Sequence, residues 1–153
     1  MFNKRELNHM LVKVGAKHRR RSAYEFMKHN LSSGQPRMLN FLFENDGCIQ
    51  REIASACHME PASVTSVLNS MQRAGLIERK PVVGDKRALR VWLTEKGKEN
   101  KKIVDEIFVT MADECFKGFS EDEKQLCGSF LNRIFTNMTD QENEKGEGND
   151  KTI

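Results

Sequence analysis

Residues 60–75 read Glu60-Pro-Ala-Ser-Val-Thr-Ser-Val-Leu-Asn-Ser-Met-Gln-Arg-Ala-Gly75. Val64, Val67, Leu68 and Met71 recur at helical spacing, which predicts a short amphipathic helix with that face on a core. Pro61 suits the first turn, where a missing N–H costs little, and Gly75 suits the left-handed residue that ends a helix. The opposite face carries Ser63, Thr65, Ser66, Asn69 and Gln72, followed by Arg73. Short hydroxyls and amides of this kind meet base edges in the DNA major groove. A solvated face that reads nothing has the same composition, and the helix alone does not separate the two readings.

Its neighbours do. Residues 49–59 predict a short helix with Ile53, Ala54 and Cys57 on the buried side, and the small Ala54 lets another helix cross closely. Its cap is poor, because Cys48 and Ile49 offer no oxygen where one would help. The chain turns at His58-Met59, so two short helices and a tight turn form a helix-turn-helix. Downstream, Leu76-Ile-Glu-Arg-Lys-Pro-Val82 predicts a strand, Val83-Gly-Asp-Lys-Arg87 a charged turn, and Ala88-Leu-Arg-Val-Trp-Leu-Thr94 a second strand. The second strand alternates, with Leu89, Val91 and Leu93 on one face and Ala88, Arg90 and Trp92 on the other. A hairpin directly after a helix-turn-helix is a wing, and Lys86 and Arg87 at its tip suit a phosphate backbone or a minor groove.

The remaining residues predict flanking helices. Residues 3–30 form a long first helix with Leu7, Met10, Leu11, Val14 and His18 near one face, less regularly continued by Tyr24 and Met27, and with Asn30 suited to a left-handed end. Gly15 is a weak point in it. His9, His18 and His29 lack a tight ligand spacing and read as packing or surface residues. Ser32 and Gln35 form a capping box for a second helix, with Pro36 in its first turn and Met38, Leu39, Leu42 and Phe43 on its core side. Asn45-Asp-Gly47 breaks the chain. Thr94 caps a long helix to about Lys117, striped by Ile103, Val104, Ile107, Phe108, Met111 and Cys115. Ser120-Glu-Asp-Glu123 opens a last helix bearing Leu126, Phe130, Leu131, Ile134, Phe135 and Met138. From 139 the chain is polar and acidic and reads as a disordered tail. The expected fold is mainly α with a small β-hairpin wing: a winged helix-turn-helix over about 31–97, flanked by helices at about 3–30 and 94–138. The flanking stripes need a partner. Helix-turn-helix readers work as two-fold dimers with recognition helices about 34 Å apart, which favours a homodimer.

A chain of 153 residues with 38% hydrophobic and 31% charged residues suits one soluble globular domain. No apolar run approaches the roughly 18 residues of a membrane helix, and the N-terminus lacks the apolar block of a signal peptide, so no membrane association and a cytoplasmic location are expected. The formal charge of +3 is uneven: Lys4, Arg5, Lys13, Lys17, Arg19, Arg20 and Arg21 crowd the front, Arg73, Arg79, Lys80, Lys86, Arg87 and Arg90 the middle. Basic residues beside a groove helix suit phosphate contacts, although a solvated surface shows the same asymmetry. Cys48, Cys57, Cys115 and Cys127 form no Cys-x-x-Cys pair, so free thiols are expected and zinc-ribbon or thioredoxin-type sites have no support. His58 beside Cys57 lacks further metal partners. Cys127-Gly-Ser-Phe-Leu-Asn-Arg133 has the spacing of a phosphatase loop but lies in a regular helical pattern without a phosphate cradle. No cofactor, metal or enzymatic activity is expected.

The order of these parts resembles the MarR-type transcriptional regulators. Leu31-Ser-Ser-Gly-Gln-Pro36 is similar to the family's start of the second helix, and Gln50-Arg-Glu-Ile-Ala54 to the helix before the turn. Pro61-Ala-Ser-Val-Thr65 and Gly75-Leu-Ile-Glu-Arg79 bracket the recognition helix. Gly84-Asp-Lys-Arg87 resembles the wing, and Leu93-Thr-Glu-Lys-Gly97 the start of the long helix. The resemblance spans residues 31–97, and the flanking helices fit as far as the tail, giving one MarR-like domain over 1–138 followed by the tail at 139–153. It implies a homodimeric repressor on near-palindromic double-stranded DNA. Ala62, Ser63, Thr65 and Ser66 fall where the family contacts bases and phosphates, Arg87 where the wing reaches the minor groove, and Asp85 where a carboxylate would orient that arginine. With Asn69, Arg73 and Lys86 these are the expected DNA-binding residues. Two positions depart from the pattern: Ser66 stands where the family often has a basic residue, and Trp92 where a small or polar one is commoner.

The resemblance also implies release by a small, often aromatic ligand held between the helical region and the winged domain. Met10, Met38 and Met111 are adaptable enough to line such a pocket, or simply fill the core. A thiol switch is the alternative signal. The first helix lacks the cysteine used by the family's peroxide-sensing branch, which leaves Cys48, near the Asp46-Gly47 turn, as the thiol best placed to be exposed, with a packed or incidental cysteine the preferred reading. A winged protein-interaction module is the third reading.

Overall fold

The computed structural model describes residues 1–32, 34–57, 59–82 and 85–147, with backbone alone at 85–88 and 140–147. Two compact units divide the chain, Met1–Met111 and Ala112–Ile153.

The first unit opens with helix α1, Lys4–Lys28. Asn3 caps it: its Oδ1 accepts from the Glu6 N–H at 3.0 Å, and Glu6 accepts from the Asn3 N–H at 2.9 Å. Asn30, at φ 58°, ends it in the left-handed conformation expected of it, with the Leu31 N–H reaching back to Phe26 O and the Asn30 N–H to Met27 O. The apolar stripe is not the face that this chain's core takes. Ser22 and Phe26 are the buried residues of α1, whereas Leu7, Met10, Leu11 and Val14 are exposed. Phe26 packs edge-on against Phe108 with centroids 5.5 Å apart.

Helix α2 spans Gln35–Glu44. Its N-cap is Gly34 at φ 88°, two residues later than a Ser32 cap would place it. The reciprocal half of the expected box survives, since the Gln35 Oε1 accepts from the Ser32 N–H at 2.9 Å. Met38, Leu39 and Leu42 are fully buried; Phe43, expected beside them, is 52% exposed and lies under the Lys101 ammonium.

Strand β1, Cys48–Ile49, was not predicted. It takes the place of the expected start of the third helix, α3, which runs Gln50–Ala56. The cap oxygen is absent, as expected, and only the reciprocal bond forms, with Glu52 accepting from the Ile49 N–H at 2.7 Å. Helix α4 spans Pro61–Arg73, with Val64, Leu68 and Met71 buried. At its end the Gly75 N–H bonds Gln72 O and the Leu76 N–H bonds Met71 O, a Schellman motif that needs Gly75 at φ 73°.

Strands β2, Ile77–Val82, and β3, Asp85–Leu93, pair antiparallel, and β1 pairs the other edge of β3, giving the order β1-β3-β2. Val82 stands opposite Asp85, with a register shift between Pro81 and Val82, so the hairpin is tighter than the expected turn over 83–87. Residues 83 and 84 lie outside the described residues. Val91 and Leu93 are buried as the alternation predicts, while Leu89, further out along the wing, is exposed.

Helix α5, Glu95–Cys115, begins at the end of α4. The Thr94 hydroxyl donates to Gly75 O at 2.7 Å and accepts from the Gly97 N–H at 3.0 Å. The Thr94 N–H bonds Leu76 O at 3.1 Å, and Lys96 Nζ bonds Ala74 O at 2.7 Å. A Cβ on Gly97 would lie 2.1 Å from Leu76 O, so only glycine permits this approach. Val104, Ile107 and Met111 complete a core shared with α2, α3, α4 and the sheet.

In the second unit, Phe116 and Phe119 meet edge-on with centroids 5.6 Å apart, and Gly118 turns at φ 85°. The Ser120–Glu123 capping box forms in both directions. Helix α6 runs Glu121–Glu147, past the boundary at 139 where a disordered tail was expected. Residues 148–153 lie outside the described residues. Leu126, Phe130, Leu131, Ile134, Phe135 and Met138 of α6 are all exposed on this chain.

Two features of β1 and its turn generate predictions. Gly47 sits at φ 77°, and a Cβ there would stand 2.5 Å from the Trp92 ring. Gly75 has a similar φ of 73° with nothing within 4 Å of its Cβ position. Chemical denaturation of Gly47→Ala should therefore show a loss of about 1–3 kcal/mol for strain plus a further loss from the ring clash, and Gly75→Ala the strain loss alone. Equal losses would mean that the indole moves freely aside. Cys48, the thiol best placed to be exposed on the sequence reading, is buried at 8% exposure, because β1 draws it into the core. Burial, and then the Glu52 carboxylate, push its thiol pKa up to about 11, and burial also raises that of Cys57. A thiol with a raised pKa stays protonated until the pH nears that value, so it is unreactive near neutrality. Timed alkylation of the folded protein at pH 8 should label the exposed Cys115 and half-exposed Cys127 well before Cys48 and Cys57; early labelling of Cys48 would contradict its placement.

Candidate nucleic-acid interface

The short helices α2, α3 and α4 are tied by polar contacts as well as by the core. Gln35, only 3% exposed, donates from Nε2 to the Ser70 hydroxyl at 3.2 Å. Arg37 Nη1 donates to Cys57 O at 2.8 Å, which satisfies a carbonyl at the end of α3. Gln50 Nε2 donates to the Thr65 Oγ1 at 2.6 Å, and that hydroxyl donates to Pro61 O at 2.9 Å. These contacts fix the angle between the two helices of the helix-turn-helix. His58, in the turn, lies outside the described residues.

With Val64, Leu68 and Met71 inward, α4 turns Ala62, Ser63, Thr65, Ser66, Asn69, Gln72 and Arg73 to the surface. All of the α4 residues expected to bind DNA are thus exposed on one face. Ser66, Asn69, Gln72 and Arg73 line a shallow concavity together with Arg79 of β2. Arg79 Nε donates to Gln72 Oε1 at 2.6 Å, and its Nη2 to Asn69 Oδ1 at 2.5 Å. The proton of Thr65 is spent on Pro61 O, so this side chain offers the groove a methyl group and an acceptor lone pair rather than a donor. Asp85, Lys86 and Arg87 stand on the β3 side of the hairpin tip, but their side chains lie outside what the structure describes.

Arg79 and Gln50 are absent from the expected site residues. For Arg79 a signal exists: period-two alternation puts it on the same face of β2 as the buried Ile77, an unusual place for a charged group without a partner. For Gln50 no local signal exists, because its partner is fifteen residues away.

Trp92 is half-buried, and its ring packs over Gly47 of the α2–β1 turn. Around it, Arg90 Nη1 donates to Gly47 O at 2.6 Å, and Asp46 accepts from the Leu93 N–H at 2.8 Å. Strand β3 is thereby tied at its base to the α2–β1 turn. Cys48 lies beneath this turn, away from α4's exposed face. Among the described residues no group of three His, Cys, Asp or Glu side chains could hold a metal ion, and no helix is long and apolar enough to cross a membrane. Between α1 and α5, a crevice of about 240 Å³ is lined by Arg21, Glu25, His29, Ile103, Ile107 and Met111, among others. Glu25 there is paired with both Lys28 and Arg21, which lower its pKa, Lys28 the more. Of the three methionines expected to suit a pocket, Met111 lines this crevice, Met38 is fully buried in the core and Met10 is exposed.

Known proteins share this arrangement. Residues 29–88 match the MarR family. An uncharacterized HTH-type transcriptional regulator of Bacillus subtilis, YybA, is 25% identical over 117 residues, which cover 76% of this chain and 78% of the relative. The crystal structure of a MarR transcriptional regulator from Methanosarcina mazei superposes with a TM-score of 0.80 at 19% identity, over 92% of this chain and 94% of that one. A MepR–DNA complex from S. aureus superposes at 0.74 with 21% identity, over 90% and 99% of the two chains. These are proteins of regulation, not of catalysis. Through its helix-turn-helix, its three-stranded wing and its flanking helices, the chain has the fold of the MarR-type regulators and is similar to that family over residues 29–88.

Proposed function

We propose that the protein is a homodimeric repressor in the cytoplasm that grips a near-palindromic operator and lets go when a small aromatic molecule binds. The observation that carries this reading is the exposed face of α4, whose hydroxyls and amides are held in fixed orientations beside a hairpin with basic residues at its tip. Ala62, Ser63, Thr65, Ser66 and Asn69 would contact base edges and the nearest phosphates, with Arg73 on the backbone. Lys86 and Arg87 would contact the flanking minor groove or its phosphates, with Asp85 orienting Arg87. Ser66, in place of a basic residue, trades phosphate attraction for base contact.

The proposed dimer rests on the exposed apolar residues of α1 and α6, described above, which a second copy would cover. Two-fold symmetry would then present two copies of α4 to half-sites about one DNA turn apart. The effector's proposed seat is the α1–α5 crevice, which has room for a single aromatic ring with a polar substituent. The burial of Cys48 and its raised pKa argue against the thiol-switch alternative.

Fluorescence anisotropy on duplex from the protein's own upstream region, against scrambled duplex and across a salt series, tests the reading. Specific, salt-dependent binding is expected. Arg87→Ala should bind more weakly, with a log–log salt slope shallower by about one unit per lost phosphate contact; an unchanged slope and affinity would remove the wing from the interface. Leu131→Asp in α6 should sediment as a monomer and lose about 100-fold or more in operator affinity, because linked half-sites no longer act together. A dimer that survives this substitution would refute the assignment of α6 to the interface.

A further inference from the structure

We propose that Arg79 is a positioning residue that sets the hydrogen-bonding polarity of the recognition helix. By holding the amide oxygens of Asn69 and Gln72, it turns their N–H₂ groups outward and makes this part of α4 a reader of acceptors. The inference rests on the DNA-binding reading above and adds to it a rule for which bases are tolerated.

The chemistry is one-sided. A guanidinium carries only donors, in a rigid planar fork. Whatever approaches it within hydrogen-bond distance must present an acceptor, so at 2.6 and 2.5 Å the atoms facing Arg79 are the carboxamide oxygens and not the nitrogens. Asn69 and Gln72 are three residues apart and hence neighbours on one helix face, which lets one arginine hold both.

Placement makes the clamp stiff. Arg79 pairs across the ladder with Val91, which is fully buried, and shares its face of β2 with buried Ile77. Its stem is therefore half-covered between sheet and helix, and its rotamer freedom is lost on folding rather than on binding DNA. Preorganisation of this kind favours binding without adding a contact. A free amide rotates by 180° and serves donor or acceptor alike; an amide held by its oxygen does not.

The consequence is a base preference. Guanine offers the acceptors O6 and N7 in the major groove and thymine O4, adenine offers the N7 acceptor beside its N6 donor, and cytosine offers only the N4 donor. Opposite two fixed N–H₂ groups, cytosine on the contacted strand is the disfavoured base.

Two readouts test this, one without DNA. In the free protein, the side-chain amide resonances of Asn69 and Gln72 are compared between wild type and Arg79→Met, which keeps a long stem and removes the donors. They should move to the positions of free amides while backbone resonances outside α4 and β2 stay in place; unmoved side-chain amides would overturn the clamp. Selection from randomised duplex then compares the bound sequences. Arg79→Met should still bind, with discrimination against cytosine at the positions governed by Asn69 and Gln72 reduced about 10-fold. A uniform loss of affinity with base preferences intact and a salt slope shallower by about one unit would make Arg79 a phosphate contact and overturn the proposal. Should Arg79→Met fail to fold, Arg79→Lys serves: it keeps the charge but not the fork, so base preference should relax while the salt slope holds, and an unchanged preference would again overturn the proposal. Absence of any sequence preference in the wild type would overturn the DNA reading itself, a result distinct from each of these.

Discussion

Three hydrogen bonds and one absent methyl group hold the end of α4 against the start of α5. The last carbonyls of a helix have no partners within it, and here Ala74 O, Gly75 O and Leu76 O are met by Lys96 Nζ, the Thr94 hydroxyl and the Thr94 N–H. Thr94 then spends its oxygen on the Gly97 N–H to begin the next helix. Each bond contributes on the order of 1 kcal/mol net, but their value is positional. The wing leaves and returns at this same point, since Leu76 leads into β2 and Thr94 follows β3. The direction of the recognition helix, the root of the hairpin and the first turn of the long helix are thus fixed by one cluster. Gly97 is what lets the cluster close, because any side chain there would collide with the carbonyl that Thr94 uses.

Where structure follows from local chemistry, it was legible in the sequence. The inward face of α4, the Thr94 cap, the Ser120–Glu123 box, the left-handed Asn30 and the alternation of Val91 and Leu93 all arise from residues within one or two turns of each other. Strand β1 arises differently. Two residues carry no periodicity, and Cys48 and Ile49 are extended only because Val91 and Arg90 offer a free edge. Cys48 was read as the thiol best placed to be exposed for that reason. The stripe on α1 was read as apolar and in need of a partner; this chain's core takes Ser22 and Phe26 of that helix and leaves the stripe exposed. Helix α6 continues into the polar segment because the straight-chain Glu, Lys and Gln residues sustain a helix already begun.

Of the candidate interface, the α4 residues were legible as a set because amphipathicity separates them from the core. What escaped was the way they are held. Hydrogen bonds such as those of Gln50 to Thr65, Arg79 to Gln72 and Gln35 to Ser70 join residues seven to thirty-five positions apart, and no spacing rule reaches that far. They matter because α3 has only seven residues, too few to be stable alone. Its geometry is borrowed from α2 and α4, and the polar ties decide at what angle.

The apolar side of α6 has a thermodynamic meaning as well as a structural one. Among its described residues none is buried on this chain, so the helix gains little from folding by itself. For the proposed dimer, folding and association become a single equilibrium, and protein concentration enters the stability directly. Each tenfold dilution removes about 1.4 kcal/mol from the folded dimer. For that proposed dimer, the amount present would set how much of α6 is folded as well as how much operator is covered.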